Sequence, residues 1–379
     1  MPDIHPFLNP EQQTRARDYE IQKRRIALTQ QIFSALITLV FILFFSLPLL
    51  QILPENPFWR FLFFIWIFLL VPLPAELYFA YISGYRMEHR FGFSNQNPAQ
   101  FWGDEFKNLM LNLILSPLLA LILFWSFSLS PEYWWLLAAA AMVLVSGIFA
   151  TLYPLVILPL FNTYTPIRDE NLTSRLAAIL KKGGLKIRGF YLQDMSRQTK
   201  KENAFLGGLG RTRRVVLSDN IVQNMRTDEL EVVIAHEVGH YRHRHILRNI
   251  LISALFQLLI FYLTHRILLS VYPDYLSTFN ARLAAFPLFI LCFSLLNYLI
   301  VRPLMNAVSR HFERQADRYA LESTGNADAF KRAMAGLANR NLSNAYPTPF
   351  IKWMYYSHPP VGERLVMAEG FGTDRTKKT

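Results

Sequence analysis

His236-Glu237-Val238-Gly239-His240 is the run in this chain whose residue types and spacing could do chemistry. On an α-helix, residues i and i+4 share one face, so two imidazole nitrogens placed there converge on a single cation. A glutamate between them stands beside the water that such a cation activates, where hydrolysis needs a general base. The flanking residues read as a helix. Thr227 is the expected N-cap, Asp228 and Glu229 put acid in the first turn, and Leu230, Val233 and Ile234 make an apolar stripe. The five-residue pattern also occurs on surface helices that bind nothing, so it needs a third ligand from elsewhere.

A catalytic zinc takes three protein ligands and keeps one position open. Cys292 is the only cysteine and lies inside an apolar block, so thiolate ligation and an intrachain disulfide are both excluded. The third ligand is therefore His, Asp or Glu. Two histidines follow at once, His243 and His245, but the HExxHxxGxxH arrangement requires Gly at 243 and His at 246, where this chain has His and Ile. His243 would also lie a turn farther along the helix than the pair. A better candidate is Glu313, with Asp317 one helical turn beyond it. Glu313 would complete the ligand set, and Asp317 would accept a hydrogen bond from the far nitrogen of a ligand histidine. A Glu-xxx-Asp pair by itself is an ordinary solvated face. What raises it here is its company, HEVGH and an apolar block ending just before it.

The elements that must position these residues are dominated by the bilayer. Hydrophobic residues make up 52% of the 379 and aromatics 15%, and the apolar residues are grouped. Crossing roughly 30 Å of hydrocarbon takes about 20 apolar residues at 1.5 Å each. Six blocks meet that length, at 30–53, 58–81, 106–127, 133–160, 246–271 and 284–305. The first lies behind a long polar segment and exceeds a signal-peptide core. The net charge of +12 is distributed by topology, which argues against a nucleic-acid partner. Arg15, Arg17, Lys23, Arg24 and Arg25 precede the first block, and Arg86, Arg90 and Lys107 flank the second link. The first link has only Arg60, the third neither Lys nor Arg, and the fifth only Arg282. This alternation is the positive-inside pattern, and it puts both termini and HEVGH on the cytoplasmic side. Attraction to anionic lipids is a secondary consequence. Glu76, behind Pro72 and Pro74, and His265 with Arg266 lie near block ends, where polar heads reach the interface.

The expected fold is mainly α: a multi-pass membrane protein of six transmembrane helices with a zincin-like α+β catalytic domain on the cytoplasmic side. Its parts are a basic N-terminus (1–28), four membrane helices (29–160), a polar catalytic part (161–245), two more membrane helices (246–305) and a polar C-terminal part (306–379). Neither polar part is large enough for a rich core alone, so the two must meet. In the first, 172–185 reads as an amphipathic helix ending at Gly183-Gly184. Residues 190–192, 204–206 and 215–217 read as short strands. Gly207-Gly208-Leu209-Gly210 precedes a Val-rich strand, not a helix, so it reads as a hairpin turn and not a phosphate loop.

Five separated segments then resemble, in order, the type I CAAX prenyl proteases, which are integral-membrane zinc gluzincins with the HtpX-type proteases as distant relatives. They are Glu88-His-Arg-Phe-Gly-Phe93, Pro159-Leu-Phe-Asn-Thr-Tyr-Thr-Pro166, Asn203-Ala204-Phe205 with Arg214-Val-Val-Leu217, Ser309-Arg310-His-Phe-Glu313 with Ala316-Asp317, and Ser357-His358-Pro359-Pro360 with Glu363-Arg364. The likeness runs from about Tyr85 to Met367. It implies one Zn2+ per chain on His236, His240 and Glu313, with Glu237 as the general base of peptide-bond hydrolysis. It further implies that His358 steadies the oxyanion, that Arg310 or Arg364 holds nearby carboxylates, and that Asn203, Ala204 and Phe205 lie on an edge strand to which substrate adds. The implied partners are a peptide or protein substrate, either a CAAX-type C-terminus, prenylated or not, or a membrane-protein segment. The eukaryotic members carry a further N-terminal membrane helix and a long insertion before the zinc helix. Neither is found here, which resembles a compact prokaryotic form and implies a bacterial inner membrane over the endoplasmic reticulum. The competing function is a non-catalytic membrane scaffold or transporter that keeps the metal for stability.

Overall fold

Asparagine followed by proline opens each of the first three long helices. In the computed structural model, which describes residues 4–208 and 213–376, the Asn9 side chain accepts the Gln12 N–H, and α1 runs over Pro10–Ile52. Asn56 accepts the N–H groups of Phe58 and Trp59 at the start of α2 (Pro57–Arg90). Asn97 and Gln100 form a reciprocal capping box at the start of α3 (Pro98–Leu129). The caps satisfy amide groups that a helix start leaves open, and proline at the first position loses no hydrogen bond. α2 is interrupted between Leu70 and Leu73, where Pro72 stands.

Among the described residues, five helices are long and apolar enough to cross a membrane: α1, α2, α3, α8 (His245–Val271) and α9 (Phe279–Thr324). The fourth block holds α4 (Trp134–Leu152), whose described apolar stretch, Trp134–Phe149, is shorter; the chain then continues through a π turn at Tyr153–Ile157. The path passes back and forth between two ends. At one end Arg60 donates to Asn280 at 3.1 Å, and Trp134 Nε1 donates to the Tyr275 hydroxyl at 2.8 Å. At the other, the Asn9 N–H reaches Asn339, Lys201 pairs with Glu88 at 2.6 Å, and Asn344 donates to Glu20 at 2.7 Å. The N-terminus, the second link and both polar parts therefore share one end, as an even number of traverses requires.

His265 departs from its expected interfacial place. It is 9% exposed, with Nδ1 2.7 Å from the Tyr275 hydroxyl and 3.1 Å from Trp134 Nε1. The fully buried Trp134 brings an indole N–H into the far-end core, and the imidazole and phenol satisfy it.

Past the fourth traverse the chain builds a four-stranded sheet in the order β1-β2-β4-β3, from Tyr164–Pro166, Phe190–Gln193, Ala204–Gly207 and Arg214–Ser218. β2 runs parallel to β4; β1–β2 and β3–β4 are antiparallel. β1 was not expected from sequence, being three residues ending in proline on an outer edge. The β3–β4 pairing makes the glycine run a hairpin connection; Gly208 has φ +84°, while Leu209 and Gly210 lie outside the described residues. The amphipathic helix α5 spans Glu170–Lys182, starting two residues before expectation because Asp169 caps it through the Leu172 N–H. After the short α6 (Asp219–Asn224) comes α7 (Thr227–Arg242). The C-terminal part adds α10 (Ala327–Arg340), α11 (Pro349–Tyr355) and α12 (Val361–Thr376). One core joins the two polar parts: Leu176 of α5, Leu217 of β4, Val232 and Val238 of α7, Ala320 of α9 and Phe330 of α10 are all buried together.

Candidate metal centre

α7 starts at Thr227 itself, one residue earlier than read from sequence. The Arg226 N–H is accepted by Glu229, and Arg332 of α10 holds Glu229 at 3.1 Å. The helix ends at Arg242. Arg244 then takes a left-handed conformation (φ 54°), and α8 begins at once at His245. This sharp break separates the HEVGH helix from the membrane helix that follows it.

Gly239, the fourth residue of the motif, sets the approach of α7 to α9. A Cβ at this position would lie 2.8 Å from the Ala316 Cα and 3.1 Å from its carbonyl oxygen. With hydrogen there instead, the two backbones meet closely enough for Glu313 to face both histidines. His236 Nε2 and His240 Nε2 are 3.1 Å apart, and Glu313 stands 3.2 Å from the first and 3.4 Å from the second. One ligand atom from each of the three lies within 4.8 Å of the others. Donors on a tetrahedral zinc, about 2.0–2.1 Å from the ion, are roughly 3.3 Å apart, so the spacing fits. Glu313 Oε2 is buried and, apart from His236 Nε2 at 3.2 Å, makes no hydrogen bond, a position that a cation would satisfy. Burial opposes charge on Glu313, yet its histidine neighbours hold the carboxyl well below the usual carboxylate range. Burial would likewise lower His236, but Asp317 and Glu313 outweigh it and lift the imidazole to about 10. The pocket demands positive charge.

Behind the His236, His240 and Glu313 cluster, Asp317 is fully buried and accepts from His236 Nδ1 at 2.9 Å. Arg364 of α12 grips the same carboxylate through Nε at 2.8 Å and through a second, shorter bond from Nη2. Desolvation works against the Asp317 charge, and Arg364 with His236 overcomes it, so its pKa is lowered. Of the two arginines expected to hold nearby carboxylates, Arg364 meets Asp317, while Arg310 Nη1 donates to the carbonyls of Lys352 and Tyr356, at 3.0 and 2.6 Å. It pins the end of α11, and so the segment that carries Ser357-His358-Pro359-Pro360. His358 stands across the cleft with Nε2 3.3 Å from Glu313, and its Nδ1 meets the Ser357 hydroxyl at 3.0 Å.

Glu237 points from α7 toward β3. Burial pushes its carboxyl up, against the pull of His236 and His240 and a backbone hydrogen bond from Leu206. β3 is an edge strand, and Asn203 and Ala204 line the cavity that contains Glu237, whereas Phe205 does not. Successive residues of a strand face opposite ways. The Asn203 backbone is committed to Ser218, whose N–H it accepts at 2.9 Å and whose hydroxyl it reaches at 3.1 Å. Antiparallel alternation therefore leaves the Ala204 N–H and C=O, not those of Asn203, on the open edge.

The cavity is about 820 Å3, and its opposite wall comes from α1, through Tyr19, Lys23 and Arg24. Sequence reading gave the N-terminal basic residues only a topological role, because nothing local links them to residues 180 or more positions away. His243 and His245 stay outside the ligand cluster, as expected, yet His245 is 2% exposed and touches His240. Burial pushes His245 down to about 4. The sequence hides its place, since it follows the helix break at Arg244.

The family model described as peptidase family M48 matches residues 166–370, and that described as CAAX prenyl protease N-terminal, five membrane helices, matches residues 2–163. The chain is 29% identical to an uncharacterized metalloprotease, YhfN, of Bacillus subtilis, over 79% of this chain and 70% of the relative. It is 31% identical to CAAX prenyl protease 1 of Saccharomyces cerevisiae, over 77% of this chain and 68% of the relative. The crystal structure of S. mikatae Ste24p superposes with a TM-score of 0.80 at 26% identity, covering 97% of this chain and 90% of that one. None of this favours a scaffold or transporter. With its metal-ligand geometry, its membrane helices and these relatives, the chain belongs to peptidase family M48, in its CAAX prenyl protease branch, and is a membrane-embedded metallopeptidase acting on peptide or protein substrates.

Proposed function

We propose that the metal is zinc, held by His236, His240 and Glu313, and that Glu237 is the general base of peptide-bond hydrolysis. The observation that carries this is the converging ligand set with its buried Glu313 oxygen beside an upshifted carboxyl. Bound zinc supplies Lewis acidity and makes water acidic enough to attack near neutral pH. Glu237 takes the proton of the attacking water and returns it to the leaving amine, and its raised pKa suits both transfers. His358 Nε2 faces the same space and donates to the carbonyl oxygen as that oxygen gains charge. Arg310 sets the height of His358 by holding α11. Substrate adds to the free edge of β3, where Ala204 offers its backbone pair and Asn203 its side chain.

The substrates are CAAX-type C-termini or segments of membrane proteins, since the cleft lies where the helices meet the polar parts. The distribution of Lys and Arg favours the cytoplasm for that end. Glu237→Gln is expected to retain zinc and lose peptidase activity by a factor of about 10² or more; full activity in that variant would remove Glu237 from the mechanism. Offering the purified protein one peptide in farnesylated and unmodified form separates a lipid-reading enzyme from one that reads the chain alone.

A further inference from the structure

The two ligand histidines are backed by different chemistry. His236 Nδ1 meets a buried carboxylate, Asp317. His240 Nδ1 meets another imidazole, with His245 Nδ1 at 2.9 Å, and His245 Nε2 lies 2.8 Å from Gln315 Oε1. Two neutral imidazoles joined through their Nδ1 atoms fix each other's tautomer. A metal on His240 Nε2 puts the proton on its Nδ1, which must then donate. His245 Nδ1 must accept, so its proton sits on Nε2 and needs an acceptor of its own. Gln315 supplies one through Oε1, while its Nε2 donates to His311 Nε2 at 3.0 Å. The ring of His245 is held in place by stacking on Phe312, with centroids 4.3 Å apart and planes at 11°.

We infer that His245 and Gln315 form a neutral relay that sets the tautomer and orientation of His240, making His245 a positioning residue of the metal centre. The inference rests on His240 being a ligand. It also absorbs a residue of the histidine-rich run that ligation itself leaves unused. The charge balance explains why this second support is neutral. Glu237, Glu313 and Asp317 already bring three carboxyl groups, and Arg364 answers one of them. A further carboxylate behind His240 would add negative charge in a buried pocket.

The test is zinc affinity, measured by chelator competition on the purified full chain. Wild type is expected to bind one zinc and His240→Ala to lose it; if wild type binds none, the ligand reading itself falls. His245→Phe preserves the ring stacked on Phe312 but removes the acceptor, and is expected to weaken zinc binding by about 10–100-fold. His245→Asn places Oδ1 near the position of Nδ1 and is expected to stay near wild type. Gln315→Met frees the His245 tautomer and is expected to weaken binding in the same direction. It also keeps the test decisive should His245→Phe fail to fold. Melting of the zinc-free proteins should be alike, since a merely structural role would show there. Wild-type affinity in His245→Phe or Gln315→Met, or an Asn variant as weak as the Phe variant, overturns the relay.

Discussion

At the scale of single residues, the centre depends on a chain of contacts running outward from the metal position: His236, Asp317, Arg364. Asp317 has no exposed surface, and its charge is supported only by the groups it touches. Asp317→Asn keeps the shape and removes the charge, leaving a buried guanidinium unanswered. Breaking such a pair costs about 3–5 kcal/mol, and losing a carboxylate behind a ligand weakens metal binding by about 10–100-fold. Both effects are measurable, one by thermal unfolding of the zinc-free protein and the other by chelator competition. A double variant with Arg364→Gln should be less destabilised than the sum of the two single changes. Strict additivity would show that the pair does not act as a unit.

At the scale of elements, the decisive contact is the crossing of α7 over α9. Gly239 makes it possible, because a methyl group would run into the Ala316 backbone, which has no side-chain freedom to give way. Gly239→Ala is expected to cost about 1–3 kcal/mol through overpacking. It should also weaken zinc binding, because Glu313 sits one turn before Ala316 and would be carried away from both histidines. Unchanged zinc affinity in a folded variant would show that the helices can adjust without moving the ligand. The same crossing explains a limit of pattern reading. The motif's glycine stands at an unconstrained position of HExxH, and only the partner helix gives it a function.

At the scale of the whole molecule, three separate stretches of chain close on one cleft. Glu88 accepts the Tyr19 hydroxyl at 2.5 Å and pairs with Lys201 at 2.6 Å, tying α1 and the second link to the residues leading into β3. Burial lowers the pKa of Lys201, and Glu88 works to keep it charged. Glu88→Gln is expected to reduce kcat/KM without changing zinc content, because it loosens the start of the edge strand and not the ligand set. Loss of zinc in that variant would show that the two regions are coupled more tightly than this. The metal should also stabilise the fold that assembles it. With zinc at a hundred times its Kd, native stability is expected to rise by about 2.7 kcal/mol. Chelation should therefore lower the melting temperature of wild type and leave that of Glu313→Ala unchanged.

The sequence by itself determined what depends on local periodicity and on residue chemistry. The i, i+4 spacing of His236 and His240 needs only a helix, apolar length needs only a bilayer, and the single cysteine limits the ligands whatever the fold. Glu313 was legible for the same reason, as a carboxylate on a helix leaving the membrane, next to Asp317. Only the tertiary structure decided the rest, since those contacts join residues far apart in the chain or separated by a helix break. It gave Arg310 to the backbone carbonyls of α11, brought Arg364 to Asp317, turned Ala204 to the open edge of β3, and set α1 across the cleft. It also brought His245 back against His240 across the left-handed turn at Arg244, where helical spacing no longer applies.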